Sequence, residues 1–229
     1  MNRLMGLAVF GEATAARTYN MMSRLRPEFE KMLKKFAYME GTHARWFRDA
    51  CAASNVTPDK DFADGELGYL NDQVEAYYEA EDFDALAVVQ GFIVESLAIS
   101  TYAPFLTVAD EYPGTRDAFE RALEEEMYHV EWIKRYFRLR FYDDGPGFAE
   151  LTRRVNVKGV DCVGGTMMNI ADLLEEVGMS GADCAGAMMD NYAHLLEDVG
   201  IERKEAMREV TRMFAPLIQR YRAKASATT

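Results

Sequence analysis

Two short motifs, Glu40-x-x-His43 and Glu126-x-x-His129, constrain this chain more than anything else in it. On an α-helix, residues three apart share a face, so each motif aims a carboxylate and an imidazole at one point. The chain has three histidines, and two of them stand in these motifs. Two further glutamates, Glu12 and Glu95, sit alone on otherwise apolar helical faces, one upstream of each motif. An ionised carboxylate in such a row is costly unless it is paired or bound to metal. Four glutamates and two histidines from four helices make up the ligand set of a carboxylate-bridged pair of iron or manganese ions inside a helical bundle.

The order supports the inventory. The chain reads Glu, Glu-x-x-His, Glu, Glu-x-x-His, and the steps from Glu12 to Glu40 and from Glu95 to Glu126 are nearly equal. A helix rises about 1.5 Å per residue, so a dozen or so residues down one helix and back up the next return to the same depth. The pattern is that of two helical hairpins, each supplying half of a dinuclear site. The rows expected to face inward are Leu4, Ala8, Glu12, Ala15, Ala16 and Tyr19; Leu33, Phe36, Glu40, His43, Phe47 and Cys51; Val88, Phe92, Glu95, Ala98, Ile99 and Tyr102; and Phe119, Ala122, Glu126, His129, Ile133 and Tyr136.

Helical periodicity dominates, and no alternating strand pattern stands out. Helices are expected over about 2–24, from Pro27 to about 54, over 66–79, from a cap at Asp82 or Asp84 to about 110, and from Pro113 to about 142. The stretch 55–65, with Pro58 and several Asp, reads as a loop, and Pro104 should kink its helix near the end. Three further segments follow, with breaks expected near 157–165, at Gly178–Gly181 and at Gly200. The fold class is therefore all-α: a four-helix bundle with additional connecting and C-terminal helices, in one domain over 1–229.

Composition sets the outer bounds. Hydrophobic residues form 49% of 229 residues, enough for a sizeable core. A net charge of −12 disfavours nucleic acid as a partner. No unbroken apolar run reaches the roughly 18 residues expected of a membrane span. Cys51, Cys162 and Cys184 are odd in number and far apart, which favours a reducing, cytoplasmic setting over a disulfide framework. His194 has polar helical neighbours and reads as a surface residue. Only Glu126 stands three residues before His129, so Glu124 and Glu125 read as facing solvent or supporting the ligands. Tyr19 and Tyr102, each seven residues after a lone glutamate, read as core tyrosines, as hydrogen-bond partners of ligands or as pocket walls. Cys51 reads as a small buried hydrophobe.

Gly11-Glu12 with Tyr19, Met39-Glu40-x-x-His43 followed by Cys51, and the run from Ile93 through Glu95 to Tyr102 resemble the ferritin-like aldehyde-deformylating oxygenases, also called fatty aldehyde decarbonylases. The resemblance runs from about Leu7 to Phe214. It implies a ferritin-like bundle whose two iron ions are held by Glu12, Glu40, His43, Glu95, Glu126 and His129. It also implies O2 as cosubstrate and an external electron donor such as a ferredoxin or a reductase. Tyr19 and Tyr102 would lie beside the metal site, and Cys51 along the substrate channel. The family reaction turns a long-chain aldehyde into formate and a product one carbon shorter.

Two positions depart from the family pattern: Glu125 stands where an aspartate is expected, and Phe105 where a tyrosine is expected. Neither is a metal ligand, so both bear on the substrate. Three readings follow. The first is an oxygenase acting on an aldehyde. The second is an N-oxygenase oxidising an amine, hydroxylamine or hydrazine to a nitroso, nitro or azoxy product. The third is a ferroxidase or iron-storage protein with no organic substrate. The methionine and glycine pairs Gly164-Gly165, Met167-Met168 and Met188-Met189 are candidates for lining an adaptable pocket.

Overall fold

A computed structural model of the chain describes residues 1–215 together with 218, 219, 222, 223 and 226; for residues 157–165, 167 and 168 it describes the backbone alone. The described residues are helical, with no strand among them. Helices α1 (Asn2–Leu25) and α2 (Glu30–Ala53) form the first hairpin, turned by a short 3-10 segment at Pro27–Phe29. Helix α3 (Lys60–Glu79) packs along α1 and carries the chain to the second hairpin.

That hairpin begins with α4 (Phe83–Val88), a π-helical turn at Val89–Val94 and α5 (Glu95–Phe105), which run on as one rod. Its return limb is the first half of α6 (Thr115–Glu176). The second half of α6, α7 (Gly181–Asp198) and α8 (Arg203–Met213) pack on one another and on the bundle. The architecture is the expected ferritin-like four-helix bundle with connecting and C-terminal helices.

Several boundaries moved for local reasons. The Asp-rich stretch read as a loop holds the first turns of α3, because the Asp59 side chain accepts a hydrogen bond from the Phe62 amide and caps the helix. Asp61 then sits in the favourable first turn. Of the two cap candidates for the next helix it is Asp82 that accepts from the Ala85 amide. That helix ends at Phe105, one residue after Pro104, with only a 3-10 turn at Ala109–Glu111 beyond it. Pro113 does not open α6; Gly114, with φ +80°, precedes its first residue, Thr115.

The expected end near residue 142 is a sharp bend at Asp144 (φ −151°, ψ 77°), whose carboxylate accepts from the Gly147 amide and caps a new helical run. The break expected over 157–165 is absent, since the α6 backbone stays helical through it. The breaks at Gly178 and Gly200 are present, and both glycines adopt the positive φ that ends a helix. One helical run among the described residues, Phe83–Phe105, is long and apolar enough to cross a bilayer by length and composition. It is interrupted by Asp84 and Glu95 and is mostly buried as a core element of the bundle.

Candidate metal centre

All six sequence-picked ligands converge in the middle of the bundle, and all six are buried. They fall into two overlapping groups: Glu12, Glu40, His43 and Glu126, and Glu40, Glu95, Glu126 and His129. Within each group the candidate ligand atoms lie within 4.8 Å of one another. Glu40 and Glu126, the glutamates of the two motifs, belong to both groups, whereas Glu12 and Glu95 belong to one each. Two metal ions placed here would each find three carboxylates and one imidazole among these residues.

Antiparallel packing generates the arrangement. Tyr19 of α1 donates to Glu95 of α5 at 2.6 Å, and Tyr102 of α5 donates to Glu12 of α1. The crossed pair fixes α1 and α5 as antiparallel with the two glutamates at matching depth. Across the other pair, His43 Nδ1 lies 3.2 Å from Glu126 and His129 Nδ1 lies 3.3 Å from Glu40. The site therefore has an approximate two-fold symmetry that exchanges the two hairpins.

The supporting groups break that symmetry. His43 Nε2 lies 2.8 Å from the carboxylate of Glu125, which is 33% exposed. A carboxylate on the far nitrogen orients an imidazole and presents its other nitrogen to metal. His129 Nε2 has no hydrogen-bond partner among the described residues and packs its ring against Phe36 and Tyr19. The Gln90 side-chain amide donates to Glu95 at 3.3 Å. Gln90 and Glu95 are five residues apart, the separation a π-turn closes, so the π-helical turn at Val89–Val94 joins the two in one hydrogen bond.

Burial and crowding dominate the electrostatics. Burial, then the charge of Glu126, raises the pKa of Glu40 and Glu95 well above the usual carboxylate range. Burial works against an ionised Glu126 too, but hydrogen bonds from Glu95 and both imidazoles outweigh it and hold this pKa low. Burial likewise opposes a charged His43 or His129, and the surrounding carboxylates outweigh it, raising both. Tyr19 and Tyr102 are pushed well above their ordinary value by burial and by the carboxylates they face.

Left to itself, then, the cluster must retain protons to balance its carboxylates. Both oxygens of Glu40 are buried without a hydrogen-bond partner among the described residues. A pair of divalent ions would supply that balancing charge, and four carboxylates with two imidazoles are a donor set suited to iron or manganese. The residues fit such a group.

One side of the cluster opens on an apolar cavity, part of it continuous with solvent. Glu12, Glu40, Glu95 and Glu126 form its metal-side wall. Leu4 to Thr18 of α1, Leu67 to Val74 of α3 and Val94 to Phe105 of α5 supply the rest, with Thr166, Ile170 and Leu174 of α6. Leu4 to Thr18 spans about 20 Å of helix, so the cavity is elongated. Three of its hydroxyls are bonded to helix carbonyls: Thr18 to Thr14, Thr101 to Leu97, and Thr166 to Glu66.

Tyr102 and Phe105 face this cavity; Tyr19 and Cys51 are not among its described lining residues. Cys51 is instead packed in the core. Met188 is a core residue and Met189 packs against the core, neither on the described lining; the side chains of Gly164, Gly165, Met167 and Met168, and of Cys162, lie outside the described residues. His194 is exposed, as expected.

Of the supporting residues, Gln90 was not assigned from the sequence, and Glu125 was left between facing solvent and supporting the ligands; its bond to His43 favours the second. Gln90 carried a signal, a lone amide in the apolar run Ala87–Val94 beside a glycine. Glu125 was masked by its neighbours Glu124 and Glu126.

Comparison with known proteins places these residues in a family. The sequence profile described as long-chain fatty aldehyde decarbonylase matches residues 1–215. Among solved structures, a Synechococcus protein described as having aldehyde deformylating oxidase activity superposes with a TM-score of 0.83 at 25% identity, over 92% of this chain and 94% of that one. The chain belongs to the long-chain fatty aldehyde decarbonylase family.

Proposed function

We propose that this protein is a non-haem di-iron oxygenase that cleaves the formyl group from an apolar aldehyde. The balance is one aldehyde, one O2, four electrons and four protons giving formic acid, water and a product one carbon shorter. Two iron ions held by Glu12, Glu40, His43, Glu95, Glu126 and His129 would supply O2 activation, with manganese as the other metal suited to this set. The electrons come from an external carrier such as a ferredoxin or reductase. Free, buried Cys51 and Cys184 fit a reducing, cytoplasmic setting.

The observation that carries the reading is the elongated apolar cavity ending on the four carboxylates. An alkyl chain lies along α1 and α5 while its polar end meets the cluster, and the apolar walls exclude water from the reacting carbon. Tyr102 holds Glu12 and lines the cavity, so its hydroxyl is the chain's own proton-bearing group nearest the substrate side. Tyr19 and Gln90 hold Glu95 in place.

Thr18, Thr101 and Thr166 are bonded to backbone and Gln90 to Glu95, which leaves the Thr14 hydroxyl and the Tyr102 end of the cavity as its polar points among mostly apolar walls, a lining that favours an alkyl chain over a polar nitrogen substrate. The described lining carries no acid beyond the four ligands, which gives iron ions no acidic path and disfavours the storage reading.

The test supplies the reduced, iron-loaded protein with O2 and aldehydes of increasing chain length and measures formate. Formate should rise with chain length and vanish in metal-free protein. No formate above that control, alongside rapid O2 consumption with a hydrazine or hydroxylamine, would assign the protein to N-oxygenation instead.

A further inference from the structure

The cavity occupies the α1 and α5 side of the cluster; the opposite side, formed by α2 and α6, carries a different surface. The outward stripe of α2 holds Lys31, Lys34, Lys35, Arg45 and Arg48, and its exposed acids stand only at the two ends, Glu30 and Asp49. Lys34 pairs with Glu30; Lys31, Lys35, Arg45 and Arg48 make no ion pair among the described residues. On a chain of net charge −12 this is a concentrated reversal of sign.

Large apolar side chains interleave with it. Tyr38 is 72% exposed, Met127 57% and Tyr128 41%. Lys35 sits over the Tyr128 ring at 4.4 Å. Aromatic and methionine side chains framed by cations are the composition of a protein-binding patch. Glu124 and Glu125, with Arg121, line the adjoining depression on α6, so the patch is basic on its α2 side.

Aromatic rings also run from the patch to the metal centre. Exposed Tyr128 meets buried Phe36 at 5.6 Å between ring centroids, and Phe36 meets His129 at 4.5 Å. Two ring contacts thus connect solvent to a metal-site imidazole.

We propose that this α2/α6 face is the docking surface for a small acidic one-electron carrier protein. The proposal rests on the oxygenase reading for its need of external electrons. Each encounter would oxidise the carrier by one electron, with a metal pair held by the cluster as the acceptor and Tyr128, Phe36 and His129 as intervening matter. The field of a chain this acidic repels an anionic partner elsewhere, and the basic stripe admits it here. Electrons and substrate then reach the centre from opposite sides, so a docked carrier does not block the cavity.

The test uses oxidised plant-type [2Fe–2S] ferredoxin as the acidic probe and titrates it into the full-length protein without metal or aldehyde, so it is read independently of the reaction. Wild type should bind, and more weakly as salt is raised. Lys31→Glu with Arg45→Glu should weaken binding by about ten-fold or more and abolish the salt dependence. Arg208→Glu, on exposed α8, should bind as wild type. With iron-loaded protein and reduced ferredoxin under anaerobic conditions, Phe36→Leu should slow ferredoxin oxidation without changing its affinity. Unaltered binding in the double variant, equal weakening by Arg208→Glu, or no binding by wild type overturns the docking surface. An unchanged oxidation rate in a folded Phe36→Leu protein overturns the ring path. Binding as expected with no formate from any aldehyde leaves the docking surface standing and removes the substrate assignment.

Discussion

Tyr102 donates its hydroxyl hydrogen to Oε1 of Glu12, tying the cavity wall to a buried carboxylate of the opposite hairpin. Tyr19 makes the matching bond to Glu95 but stands away from the described cavity lining. The symmetry of the ligands is thus not a symmetry of access.

Tyr102→Phe and Tyr19→Phe should each keep two metal ions and lower turnover by about ten- to a hundred-fold, as losses of supporting hydrogen bonds do. Only Tyr102→Phe should also change KM for the aldehyde, because only that side chain faces the cavity. Steady-state kinetics on metal-analysed protein separates the two.

The overlap of the ligand groups makes a stoichiometric prediction. Glu12→Gln and Glu95→Gln each remove a ligand from one group and should leave one well-bound ion. Glu40→Gln or Glu126→Gln removes a ligand from both and should leave less than one. Iron titration followed by metal analysis reads the difference directly, and equal losses in all four variants would contradict shared carboxylates.

His43→Ala and His129→Ala should lower O2-dependent turnover by at least about a hundred-fold while far-ultraviolet circular dichroism stays helical, because each removes one ligand and little packing. His194→Ala, at an exposed position, should match wild type.

The convergence of these six side chains was legible in the sequence because chemistry and geometry repeat together. Glu40 with His43 and Glu126 with His129 share a spacing, and Glu12 and Glu95 are conspicuous as charges in apolar rows. Local punctuation was harder to read. Asp59 begins a helix, yet it lies among aspartates and a proline that also describe a loop. The glycines of 157–165 suggested a break, but the α6 backbone stays helical through them, because propensity is a weak prior that the surrounding helix overrides. Glu125 could not be told from its solvated neighbour Glu124, because the hydrogen bond to His43 depends on where α6 lies against α2.

Ala98→Phe narrows the cavity beside α5. Excluding two methylene groups of a bound chain forfeits about 1.6 kcal/mol, roughly fifteen-fold in affinity. KM for a long aldehyde should rise by that order while a short aldehyde is turned over as before. A uniform loss for all chain lengths would place the alkyl chain elsewhere.

Burial pushes the Cys51 thiol up to about 11. A pKa raised this far leaves about one thiolate in a thousand at pH 8, and only the thiolate alkylates. Iodoacetamide should therefore modify Cys51 very slowly in folded protein at pH 8, faster as pH is raised toward 11, and rapidly after unfolding. Fast modification of the native protein at neutral pH would mean the thiol is reachable from the cavity.

The π-turn at Val89–Val94 acts as a one-residue phase shift in an otherwise regular rod. Each α-helical residue turns the axis by about 100°, so deleting one residue here and restoring an ordinary helix would swing α4 by that angle relative to Glu95. Phe83, Ala85, Leu86, Ala87 and Val88 are all buried against their neighbours, and Gly91 allows no Cβ without striking Ile133. The helix therefore cannot satisfy both its core face and its ligand as a plain α-helix. A relative lacking this single residue would have to give up either the packing of α4 or the aim of Glu95, which makes the length of this segment, more than its composition, the signature of a working centre.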